Sequence, residues 1–73
     1  MSPASFTDRM PRLSPREREI LTLLVEGQSN TEIAAQLYLS LNTIKTHVRS
    51  ILNKFGVDTR LQVAVLAVRK GLV

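Results

Sequence analysis

The feature that most constrains this chain is a series of helix-start signals spread from residue 14 to residue 62. Ser14-Pro15-Arg16-Glu17, Ser29-Asn30-Thr31-Glu32 and Thr59-Arg60-Leu61-Gln62 each place a hydroxyl three residues ahead of a Glu or Gln. In that spacing the hydroxyl accepts from a free amide of the first turn while the longer side chain reaches back to the cap residue. Ser40 is a further N-cap candidate, and Gly27, Gly56 and Gly71 stand where helices would close on a left-handed residue. Punctuation this dense admits short helices joined by tight turns.

The apolar residues agree. After Ser14, with Pro15 suited to the first helical position, Ile20, Leu21, Leu24 and Val25 recur at helical spacing up to Gly27. A brief second helix over about 31–37 carries Ile33, Ala34 and Leu37. Tyr38-Leu39-Ser40 is long enough only for a turn. From Ser40 to about Phe55, Ile44, Val48, Ile51, Leu52 and Phe55 form one stripe. The Val-rich run over 63–68 also fits a buried strand. The capping box ahead of it, its alanines, and Arg69, Lys70 and Gly71 behind it favour a fourth helix. Ala64, Ala67 and Val68 are expected to face its core, with Val63 beside them. The expected fold is all-α: a four-helix bundle-like domain over 13–73, without internal repeats. Residues 1–12, MSPASFTDRMPR, read as a flexible tail or linker stub.

Composition narrows the function. Seventy-three residues make one domain and leave no room for a substrate domain. A formal charge of +4 and a sequence pI of about 10.4 favour anionic partners, nucleic acid before an anionic membrane. There is no cysteine, and a single histidine, His47, does not assemble a metal site. Paired carboxylates in a cleft, a nucleophile–base pair and a phosphate-cradling glycine loop are all missing, so neither an enzyme nor a cofactor is expected. No apolar run is long enough for a membrane span or a signal peptide, which points to the cytoplasm.

The second helix, the three-residue turn and the third helix have helix-turn-helix spacing. Ala34 allows two helices to cross closely, Leu39 points inward from the turn, and Ile44 locks the third helix onto the second. An αα-hairpin with a chance match to this pattern is the plain alternative. The opposite face of the third helix carries more information. At roughly 100° per residue, Asn42, Lys45, Thr46, Arg49 and Asn53 share one stripe, and the helix contains no acid. A solvated helix face usually mixes Glu with Lys. A stripe of Lys, Arg, Asn and Thr suits the major groove: Lys and Arg donate to guanine, Asn reads adenine, and a Thr methyl meets the thymine methyl. Lys45, Thr46, Arg49 and Asn42 are therefore the base-reading candidates. Thr43, His47, Ser50 and Lys54 flank the stripe and suit phosphate oxygens, as do the free amides at Asn30 and Thr31 and from Ser40 to Asn42. Ordinary capping explains Ser29 and Ser40 better than phosphate binding does, and a plain surface or half-buried histidine is the alternative for His47. On the fourth helix Leu61 and Val65, one turn apart, have no evident burial in a monomer and suggest a two-fold partner helix. Scattered surface apolar residues are the alternative.

With these residues in view, the chain resembles the LuxR/NarL/GerE-type DNA-binding domain. The likeness runs over about 13–73. It is carried by Leu13-Ser14-Pro15-Arg16-Glu17-Arg18-Glu19-Ile20-Leu21, Gly27, Asn30, Glu32-Ile33-Ala34, Leu37, Ser40, Thr43-Ile44-Lys45-Thr46-His47-Val48, Lys54, Val57, Arg60 and Ala64. The resemblance implies a third helix that enters the major groove, with base contacts from the Lys45, Thr46 and Arg49 positions. It implies backbone contacts from Thr43, His47, Lys54 and the start of the second helix, and a homodimer through the fourth helix. Glu17 and Arg60 are implied to be scaffold residues. The partners implied are double-stranded DNA at the bacterial nucleoid and, for a transcription regulator, RNA polymerase. Family members usually carry a receiver or ligand-binding domain ahead of this one, so the chain is expected to be an excised effector domain or a stand-alone member. Two further readings remain open at this point: promoter recognition of the sigma-factor kind, and a protein-interaction module that has given up DNA.

Overall fold

In the computed structural model residues 12–73 are described. All but Arg12 of the expected N-terminal tail lies outside them. Four helices follow in order: α1 (Pro15–Val25), α2 (Asn30–Leu37), α3 (Leu41–Phe55) and α4 (Arg60–Arg69), with no strand among the described residues. The Val-rich run is helical, as its flanking signals require.

Each helix begins where a hydroxyl replaces the missing carbonyl of a previous turn. The Ser14 hydroxyl accepts from the Glu17 amide at 3.0 Å, and the Glu17 carboxylate accepts from the Ser14 amide at 2.9 Å. The same reciprocal box closes at Ser29 with Glu32 and at Thr59 with Gln62. At α3, Ser40 caps the Thr43 amide at 3.0 Å, and a hydroxyl–hydroxyl contact to Thr43 of 2.8 Å stands where an acid completes the boxes of α1 and α2.

The helix ends share one device. A left-handed residue turns the chain so that the next amides return to carbonyls of the last turn. Gly27, with φ of 91°, does this for α1: its amide and that of Gln28 donate to Leu24 and Leu23. At the end of α2 the left-handed residue is Tyr38, φ 58°, with the Leu39 amide returning to Ala34 at 3.0 Å. A side chain in this region costs about 1–2 kcal/mol. The hydrogen bonds of the turn and the half-buried Leu39 beside it hold it there.

The core is one cluster drawn from all four helices. Ile20, Leu21 and Leu24 come from α1, Ile33 and Ala34 from α2, Ile44, Val48 and Ile51 from α3, and Val63 and Ala67 from α4. α3 packs against every other helix, and α1 and α4 close the domain behind it. Ala34 of α2 is almost fully buried in this core.

One expectation for α4 is corrected. Val68 does not face the core; it is 59% exposed, and Ala64 is only partly buried, whereas Val63 and Ala67 are fully buried. Val63 and Ala67 lie four residues apart and define the inward line. At roughly 100° per residue Val68 falls far from that line and within about 60° of Leu61 and Val65.

Candidate nucleic-acid interface

α3 has two unlike faces. Ile44 and Ile51 are completely buried and Val48 nearly so, which fixes the rotation of the helix about its axis. Asn42, Lys45, Thr46, Arg49 and Asn53 are consequently all exposed on the other side. The base-reading candidates Lys45, Thr46, Arg49 and Asn42 thus share a single outward surface. It carries no carboxylate, and the first turn of the helix is free of acids, unlike those of α1 and α2.

Of the flanking residues, Thr43 and His47 are half-buried along the edge of this surface and Ser40 is exposed at its start. Ser50 and Lys54 are engaged elsewhere. The Ser50 hydroxyl donates to Glu17 at 2.8 Å, so it belongs to the scaffold rather than to the phosphate set expected for it. The Lys54 ammonium donates to Glu17 at 2.7 Å and to the Arg12 carbonyl at 3.0 Å. Glu17, only 5% exposed, therefore ties the start of α1 to the last two turns of α3. Burial alone would raise its pKa. The hydrogen bond from Lys54, the Ser14 amide, the Ser50 hydroxyl and the charge of Lys54 outweigh burial and lower it to about 2. The sequence places Glu17 in its capping box and, through the resemblance, in the scaffold; its partners on α3 carry no local signal.

A second polar tie sets the start of α2. The Arg60 guanidinium donates to the Asn30 side-chain oxygen and, at 2.6 Å, to the Gln28 carbonyl. The amide of Glu32 is capped by Ser29, and that of Ile33 reaches the Ser29 carbonyl. The amides of Asn30 and Thr31 have no carbonyl one turn back, so the turn that carries them is held by Arg60 with those donors left over. This matches the scaffold role implied for Arg60. Among the described residues no three or more His, Asp or Glu side chains come together as a metal would require, and no helix is long and apolar enough to cross a membrane.

On α4, Leu61 is 74% exposed and Val65 42%, and Val68 joins them on the same face. Apolar grooves of about 390 and 400 Å³ run on either side of Val65, one lined by Val25, Ala64 and Val68, the other by Val57, Leu61 and Leu66.

The family model of bacterial regulatory proteins of the luxR family, GerE, matches residues 11–67. The chain belongs to that family. It is 48% identical over 61 residues to the transcriptional regulatory protein LiaR of Bacillus subtilis, covering 84% of this chain and 29% of LiaR. The fold superposes on the response regulator ChrA of a heme-sensing two-component system with a TM-score of 0.81 and 44% identity, over 85% of this chain and 31% of ChrA. It superposes on VqmA of Vibrio cholera, solved as a VqmA–ligand–DNA complex, with a TM-score of 0.80 and 31% identity, over 85% of this chain and 27% of VqmA. The chain thus spans less than a third of the length of each of these relatives. It is a luxR-family helix-turn-helix DNA-binding domain of the transcription-regulator type.

Proposed function

We propose that this chain reads specific sequences of double-stranded DNA with α3 in the major groove, as a homodimer on paired half-sites, at the nucleoid in the bacterial cytoplasm. The observation that carries the reading is the acid-free stripe of α3, turned outward by the burial of Ile44, Val48 and Ile51 on the same helix. Lys45 and Arg49 donate to guanine edges, Asn42 to adenine, and Thr46 contacts a thymine methyl or a polar edge. The open amides of Asn30 and Thr31, the Ser40–Thr43 start of α3 and His47 hold phosphate oxygens. Lys54 adds one contact. An ammonium has three donors; Glu17 and Arg12 take two of them, which leaves one for a phosphate. The DNA in the VqmA complex supports this use of the fold.

The dimer is proposed through Leu61, Val65 and Val68, which share the outer face of α4. Three side chains of this size bury far less than a stable interface requires, so DNA assembles the dimer. Val65→Glu places two like charges beside the two-fold axis. Affinity for a duplex with two half-sites should fall at least about tenfold, equivalent to 1.4 kcal/mol. Affinity for a single half-site should stay unchanged. Equal losses on both duplexes would remove α4 from the dimer.

Selection from randomised duplexes at physiological salt tests the function. The proposed function predicts recovery of a pair of half-sites about one helical turn, or 10 bp, apart. Recovery of no sequence above background contradicts it. On the recovered duplex, Arg49→Ala should cost about 1–3 kcal/mol and relax the preference at one base pair per half-site. An equal loss on all sequences would reassign Arg49 to the phosphates.

A further inference from the structure

Leu41 lies at the margin of the core, outside the cluster of buried residues and those packed against it. It occupies the first position of α3, directly after the Ser40 cap, and is 39% exposed. Ile44, Val48 and Ile51 already fill the inward side of the helix. A leucine contributes little to a helix start, where proline or an acid is favoured. At roughly 100° per residue it lies about 20° from Val48 and Leu52 and about 40° from Lys45, so it stands where the apolar stripe meets the Lys45 edge of the polar one.

In a helix-turn-helix protein the N-terminal residues of the second helix contact base edges. The apolar feature in the major groove is the C5-methyl group of thymine, and apolar side chains recognise it by contact. Packing Leu41 there removes exposed hydrocarbon from water on both partners. At a G·C pair the same side chain would cover polar base edges that it cannot satisfy. We propose that Leu41 is a specificity-determining residue that selects a thymine in each half-site by packing against its methyl group. This rests on the DNA-reading function proposed above.

The experiment uses the full chain and the duplex recovered from the randomised pool, with each thymine exchanged in turn for deoxyuridine, which lacks only the methyl. One exchange per half-site should weaken wild-type binding about fourfold, the factor that corresponds to about 0.8 kcal/mol for one buried carbon group. Leu41→Ala should bind the thymine and deoxyuridine forms of that duplex equally, while Leu41→Met keeps the preference. Any thymine read by Thr46 should stay methyl-sensitive in Leu41→Ala. Circular dichroism checks that both variants keep their helices. The assignment of Leu41 is overturned if Leu41→Ala keeps the wild-type ratio at every thymine, or if no exchange weakens the wild type. In either case a protein partner becomes the better reading of its exposure. Failure to recover any duplex overturns the DNA-reading function itself, and this inference with it.

Discussion

Replacing Lys54 by Met should destabilise the domain by about 3 kcal/mol at pH 7, because it leaves the carboxylate of Glu17 buried without a counter-charge. Glu17 is almost completely enclosed, and its remaining donors would be the Ser14 amide and the Ser50 hydroxyl. Lys54 is partly exposed, so the reverse change is milder: after Glu17→Gln the ammonium returns to water. The double variant Glu17→Gln, Lys54→Met should therefore be more stable than Lys54→Met alone, which non-interacting sites would not allow. The pH dependence has a definite sign. The pKa of Glu17 is about 2 in the folded domain, below the usual value near 4.3 of an unfolded chain. Its stabilisation is present above the unfolded value and is lost as pH falls through the folded one. Between roughly pH 5 and pH 2 the wild type should lose on the order of 2 kcal/mol that Glu17→Gln does not lose. Urea unfolding at several pH values measures this. Parallel pH profiles for wild type and Glu17→Gln would mean that the ion pair contributes nothing.

Raising salt from 50 to 200 mM should weaken binding to the selected duplex about 12-fold, if the dimer neutralises about two phosphates and the slope of log affinity on log salt is near −1.8. Lys54 on each of two copies supplies these contacts through its remaining donor, whereas Lys45 and Arg49 meet base edges. The proposed contacts also make the slope sensitive to single residues. Removal of a cation that meets a phosphate lowers its magnitude by about 0.9 per contact. Lys54→Gln should lower the slope this way if its third donor reaches the backbone, and leave it unchanged if Lys54 serves only Glu17. Affinity almost independent of salt would favour a protein-interaction module over a DNA reader.

The helices were legible in the sequence because their signals are local. A hydroxyl and a Glu or Gln three residues later define a start whatever the rest of the chain does, and the boxes at Ser14, Ser29 and Thr59 all close in the structure. The outward stripe of α3 was legible for the same reason: five apolar residues in phase leave one direction for Lys45 and Arg49. The run over 63–68 has no polar residue to set its phase, so the sequence does not show that Val68 faces outward. The left-handed Tyr38 was not visible either, because that conformation is usually announced by Gly or Asn. The polar ties were hidden for a different reason. Glu17 meets Ser50 and Lys54 across 33 and 37 residues, and Arg60 meets Asn30 across 30. Their pairing exists only once the core has set the helices side by side. Lys54 stands at the junction of the two kinds of reading: a cation on the flank of the stripe by its spacing, and a strut to α1 by its contacts.

In the proposed complex α3 lies in the major groove with its polar stripe on the bases. Intermolecular nuclear Overhauser effects between the chain and the selected duplex test it most directly. Contacts from the side chains of Lys45, Thr46 and Arg49 to major-groove base protons, with none from the exposed face of α1 around Arg16 and Glu19, are the predicted result. Contacts from α3 confined to sugar protons, or base contacts arising from another helix, would contradict it.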